Sequence, residues 1–316
     1  MHSPLTISSP NGETRAVILP TLGFNCIEFS TSIDGQTVSV LDTEPGFQSG
    51  ERRPVGSGIP LLFPFPNRIK DGKFSHRGQS YVVSPSEWSQ QTIHGFCVNR
   101  PWKVLETTSH SLTGEFLLSR DAPASRAQWP ADARLVVKYT VDADRLHAEI
   151  TVENPDTVPL PWGFGTHPYF RLPLGGDHPP DDCVIHADAS EQWELVECFP
   201  TGQKHPIPAN KDLRRGWKFG SGPQDDVYTG LAHREGAVVQ TIDDPVAHLR
   251  LTQRSCDDFR ELVVFTPKGR PTICLEPYTC VTDASNLKDL GLDSGWRELA
   301  PGEQVKLWFE ISVSRI

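Results

Sequence analysis

No stretch of the 316 residues approaches the ~18 consecutive apolar residues of a membrane-spanning helix. The opening segment, MHSPLTISSPNGETRAVILP, has no basic run followed by a long apolar core, so it does not read as a signal peptide. Seven cysteines (Cys26, Cys97, Cys183, Cys198, Cys256, Cys274 and Cys280) are widely spaced with no C-x-x-C pair. That pattern matches neither a disulfide framework nor a zinc site and fits a reducing cytoplasm, where each reads as a small buried apolar side chain. Positive charge is also short: 30 Lys and Arg against 40 Asp and Glu give a net charge of −10. Neither nucleic acid nor an anionic membrane surface is expected as a partner, and a soluble, cytoplasmic protein with a neutral or locally recognised ligand is. H-E-x-x-H, G-x-S-x-G, Walker A and G-x-G-x-x-G motifs are all missing. Helical periodicity is scarce: ASNLKDLGLD (284–293) is a candidate for a helical turn or two and DLRRGWKF (212–219) for another.

What the sequence does have is alternation. In ARLVVKYTVDADRLHAEITVENP, Leu135, Val137, Tyr139 and Val141 alternate with polar residues, and Leu146, Ala148, Ile150 and Val152 do so again after the turn. This predicts a β-hairpin with one buried face. Val305, Leu307, Phe309, Ile311 and Val313 repeat the period near the C-terminus, and NCIEFSTSIDGQTVSVLD predicts a hairpin turning at Asp34-Gly35. GKFSHRGQSYVVS, AHLRLTQ and ELVVFTPKGRPTICLEPY are further strand candidates. The 28 prolines and 25 glycines are scattered, as many short strands require. With no internal repeat or linker, the expectation is one domain over 1–316: an all-β, large antiparallel β-sandwich with few short helices.

Four places break the alternation by setting ionisable groups among aromatics, prolines and glycines, which is where sites are expected. In GIPLLFPFPNRI, Pro64 and Pro66 deny the chain a central-strand ladder, and the run ends in Asn67 and Arg68. Arg68 suits ligand hydroxyls, or it is a surface arginine lying over Phe63 or Phe65. His94 in TIHGFCVNRPW and His167 in PWGFGTHPYFRL are acids in a pocket or satisfied, partly buried histidines. They could ligate a metal, but no close-spaced third ligand supports one, so none is expected. In TICLEPYTCVTDA, Ile273 and Leu275 face one side of a strand and Cys274 and Glu276 the other, with Pro277 ending the regular pairing. Glu276 at that last position projects into a cleft, or it is an edge-strand carboxylate in solvent. Asp225 and Asp226 in GPQDDVYTG are ordinary turn chemistry or, for Asp226, a possible second carboxylate.

Taken in order, PNRIKDGKF, HGF, THPYF, DDVY and LEP resemble the aldose 1-epimerase (galactose mutarotase) family from about Pro60 to Asp283. The resemblance implies a galactose mutarotase-like supersandwich that binds a monosaccharide, needs no metal or organic cofactor, and is a monomer or homodimer. By motif, Glu276 would be the base, His167 the acid and His94 a second pocket histidine at the ring oxygen. Asn67 and Arg68 in NRI and Asp226 in DDVY would hold sugar hydroxyls. The implied reaction interconverts the anomers of free hexoses such as glucose or galactose. One carboxylate and one histidine of complementary protonation suffice for it. Trp162, Phe164 and Tyr169 would stack on the sugar or pack the strand ends. The chain departs from galactose-type members, which carry an extra glycine after HG and an Asn before the histidine block. A hexose 6-phosphate branch tends to read HGFAR, where Cys97 and Val98 stand here with Arg100 close by. A hexose-6-phosphate 1-epimerase and a non-catalytic carbohydrate-binding β-sandwich are the alternative readings.

Overall fold

The structure, a computed structural model, describes residues 3–316. Strands Arg134–Val141 and Arg145–Glu153 form the expected hairpin, and all eight alternating apolar residues of the pair are fully buried. Burying each Val, Leu or Ile among them is worth about 1.5–3 kcal/mol, so a one-residue slip that turned the whole set to water is prohibitive. On one side this hairpin pairs with Gln304–Arg315, whose Leu307, Phe309, Ile311 and Val313 are buried as predicted while Val305 is only partly so. The nine-stranded antiparallel sheet built around them runs from Trp217–Lys218 at one edge to Lys103–Thr107 at the other.

A second sheet of eight strands carries, in order, Phe199–Pro206, Ala189–Val196, Asp225–Leu231, Glu261–Phe265, Thr272–Tyr278, Gly165–Thr166 and Leu61–Leu62. The short strand Tyr169–Arg171 also pairs with Thr272–Tyr278. Val137 and Tyr139 of the first sheet share one hydrophobic core with Tyr228, Leu262, Val264 and Leu275 of the second, which makes the two sheets a sandwich. The opposite face of the second sheet bears a separate cluster that includes Leu62, Val227, Val263 and Tyr278.

The hairpin at Asp34-Gly35 is present: Ile33 pairs with Gln36, and both turn residues have positive φ (52° and 77°), the geometry that such a two-residue turn needs. Helix is confined to short pieces. Ala284–Asp289 forms within the predicted 284–293, whereas 212–219 holds only the single 3₁₀ turn Leu213–Arg215 before a two-residue strand. Gly216, at φ 82°, interrupts it. No helix among the described residues is long and apolar enough to cross a membrane. All seven cysteines are free, and six are buried, Cys198 being half-buried.

Candidate active site

Glu276 is not at the end of its strand. It is the fifth of seven residues in Thr272–Tyr278, and Pro277 remains in register with Leu262. A proline is tolerated there because the strand on its other side is broken into Gly165–Thr166 and Tyr169–Arg171, so no ladder bond is asked of its nitrogen. The break at His167-Pro168 inserts no residue. Gly165 lies opposite Tyr278 and Tyr169 opposite Cys274, which sets His167 across from Glu276 on one face. Its Nε2 is 3.3 Å from Glu276 Oε1, and the two side chains are only 8% and 2% exposed. The other carboxylate oxygen accepts a hydrogen bond from Tyr278 Oη.

Beside this pair, the HGF turn is locked in place. Gly95 has φ 69°, and a Cβ on it would sit 2.1 Å from the Phe63 carbonyl oxygen, so only glycine fits. His94 and Asn67, both at positive φ, exchange backbone bonds: His94 N–H donates to the Asn67 carbonyl (2.8 Å), and Asn67 N–H donates to His94 Nδ1 (3.2 Å). With Nδ1 accepting, Nε2 carries the proton, so His94 is a neutral N–H donor. Its ring meets His167 edge-on at 5.6 Å and lies parallel to Trp88 at 6.1 Å. Arg68 is held by Gln91 Oε1 (2.6 Å) and Asn67 Oδ1 (2.9 Å), leaving Nη2 unused, and it makes no ion pair among the described residues.

One expectation about lining residues is corrected. Asp226 faces the wrong way: it stands opposite Val264, and Val264 opposite Leu275, on the inter-sheet face. There it accepts from Gln192 and from Lys211 Nζ at 2.6 Å. Its neighbour Asp225 shares the face of Phe265, Cys274 and Glu276 and is close enough to raise the carboxyl of Glu276. Trp162 and Phe164 are core residues, 1% and 0% exposed. Tyr169 lies flat beneath His167, rings parallel at 4.7 Å, and Phe265 touches its edge at 6.1 Å. The aromatics around the histidines are thus Tyr169, Trp88 and Phe265, of which the sequence pointed only to Tyr169. Tyr278 was legible from alternation along the strand of Glu276, whereas Asp225 and Phe265 lie on neighbouring strands and are placed only by sheet register.

Burial sets the protonation of the pair. It pushes the Glu276 carboxyl well above its usual range, opposed first by the Tyr278 bond, and drives the His167 imidazole down to about 3. His94 is likewise held well below 6.5 by burial, then by His167 and Arg68. Folding also supplies a third potential metal ligand that the linear spacing lacked: ligand atoms of His167, Cys274 and Glu276 lie within 4.8 Å of one another. Burial, reinforced by Glu276, raises the Cys274 thiol well above its usual value.

Comparison with known proteins agrees with this fold. The profile of the aldose 1-epimerase family matches residues 12–312. The uncharacterised protein YihR of Escherichia coli is 35% identical over 241 residues, covering 75% of this chain and 74% of its own. Human galactose mutarotase is 24% identical over 169 residues, and the match spans 53% of this chain and about half (48%) of that enzyme. A galactose mutarotase-like protein from Clostridium acetobutylicum superposes with a TM-score of 0.88 at 23% identity, over 100% of this chain and 96% of the other. An aldose epimerase homologue from C. elegans superposes at 0.82 and 17% identity, with all of both chains covered.

Proposed function

The chain belongs to the aldose 1-epimerase family, and on that footing we propose that it interconverts the α and β anomers of a free hexose by acid–base ring opening. The observation that carries this reading is the buried His167–Glu276 pair, one proton donor and one acceptor 3.3 Å apart. Glu276 takes the proton of the C1 hydroxyl, the C1–O5 bond breaks with its electrons going to O5, and His167 Nε2 delivers a proton there. The aldehyde turns about C1–C2 and closes on its other face, with both proton transfers reversed.

The pair holds one proton in every state of this cycle. Carboxylate with imidazolium opens the ring, and carboxylic acid with imidazole closes it. Burial favours the second form in the free protein, so the two forms differ only in where one proton sits across a short gap. His94, neutral with Nε2–H free, serves as a donor to the ring oxygen or a hydroxyl rather than as a proton source. Arg68 and Asp225 supply hydroxyl contacts. A free sugar is favoured over a phosphosugar because Arg100 is paired with Glu87 at 2.5 Å and Cys97 and Val98 are buried, which leaves Arg68, among the described residues at the site, as a single unpaired cation rather than a basic cluster. An acid–base pair has no use in a non-catalytic binding module.

The test is anomer exchange in freshly dissolved α-glucose and α-galactose, followed by polarimetry or anomeric-proton NMR. Acceleration above the buffer rate is expected; acceleration of glucose 6-phosphate alone would move the protein to the phosphosugar branch. The pH profile of kcat/KM should be bell-shaped. Acidification adds a second proton to the pair and removes the acceptor, and because burial lowers His167 to about 3, this limb lies well below 6.5. Alkalinisation strips the shared proton, a limb placed above 4.5 by the raised carboxyl. An acid limb at 6.5 would contradict the buried-imidazole assignment.

The two aspartates give a second test. Losing a charge-assisted hydrogen bond costs about 1.5–3 kcal/mol, so Asp225→Asn should raise KM by roughly 10–100-fold with stability unchanged. Asp226→Asn should instead lower the melting temperature, by loosening Lys211 and Gln192, and leave KM alone. The reverse pattern would place the sugar on the other face of the sheet.

A further inference from the structure

Tyr278 lies two residues beyond Glu276 on the same face of their strand and has no exposed surface. Its Oη donates to Glu276 Oε2, its one hydrogen-bond partner among the described residues. The surroundings are built to hold that ring. Gly165 stands opposite it in register, and a Cβ at Gly165 would come 2.4 Å from Tyr278 Cδ1, so the glycine is what lets the ring lie across the neighbouring chain. Leu62, Val263 and Cys280 belong to the cluster packed with it. One oxygen of the carboxylate is thus occupied by the packed phenol. The oxygen left over, Oε1, is the one facing His167.

We propose that Tyr278 is a positioning residue for this reaction: by holding Oε2 it presents Oε1 alone to the sugar hydroxyl and keeps the carboxylate form of Glu276 accessible during turnover. The proposal rests on the reading of Glu276 as the base. Other ionisable groups surround the carboxyl without occupying Oε2. His167 and Tyr169 come from the broken strand, Cys274 from its own, and Asp225 from two strands away in the sheet. Arg68 acts on it from the loops, and His94 lies behind His167. Of the charged members, Asp225 works against the carboxylate and Arg68 for it. Tyr278 differs from all of them in touching the oxygen that His167 does not.

The experiment is Tyr278→Phe, which keeps the ring and its packing and deletes only the hydroxyl. A hydrogen bond to a charged group is worth enough to shift a carboxyl by about one pH unit or more, so the alkaline limb of the kcat profile should move up by about that much. kcat should fall about tenfold while KM changes by less than about threefold, since the sugar does not touch the phenol. An unmoved limb with unchanged kcat would overturn the proposal. So would kcat and KM changing together without a shift, the mark of a structural role. The infrared titration of the Glu276 carboxyl, assigned by its disappearance in Glu276→Gln, reads the same bond without turnover. If the wild-type protein exchanges no anomers, the enzymatic reading fails, yet a Tyr278→Phe shift in that titration is still expected. Its absence would remove the positioning role independently.

Discussion

Glu276→Gln should abolish most anomer exchange, with a fall of about 10²–10⁴-fold in kcat, while sugar binding is largely kept. The amide keeps the shape of the carboxylate. Its carbonyl oxygen can still accept from Tyr278 Oη, and its NH₂ can donate to His167 Nε2, so the local bonds survive. What it cannot do is take a proton. Stability should hold or rise, because the wild-type carboxyl is buried against its preference for water, as its raised pKa records. The measurement is NMR of anomer exchange alongside sugar binding and thermal melting. Turnover like that of the wild type would remove Glu276 from the chemistry. Lost turnover together with lost sugar binding would make it a binding residue instead.

His167→Asn is expected to cost about as much, again ~10²–10⁴-fold in kcat, since each proton transfer is useless without the other. For the same reason the double variant should be no slower than either single one, because residues that act as a unit are not additive. The fold should tolerate the change at modest cost. The backbone N–H bond to the Pro60 carbonyl (3.0 Å) is untouched, and the loss is chiefly the parallel contact with Tyr169, worth about 0.5–1.5 kcal/mol. Melting temperature separates the two roles open to this histidine. An inactive variant that melts near the wild-type temperature identifies an acid. One that is inactive because it unfolds identifies a core residue.

The hairpin 134–153 and the C-terminal strand could be read directly, because a period of two with one buried face admits a single register. His94, His167 and Glu276 stood out for the opposite reason, as ionisable groups in glycine, proline and aromatic surroundings. Asp226 misled because nothing local distinguishes two adjacent aspartates; which one faces the site depends on the register of Asp225–Leu231 against Glu261–Phe265. Pro277 misled because its effect depends on the neighbouring strand, which happens to be broken beside it.

The amino-acid sequence by itself therefore determined what is local: the all-β class, the strand faces, the turn at Asp34-Gly35 and the identity of the chemically unusual residues. Only the tertiary structure decided the pairings that make a site. It set His167 across from Glu276, left His94 neutral through Asn67, turned Asp225 toward the face of Glu276 and Asp226 away, and closed Tyr278 over one carboxylate oxygen. The reason is physical. Alternation and turn preference act over a few residues, whereas sheet register and the burial that shifts a pKa are set by strands far apart in the chain.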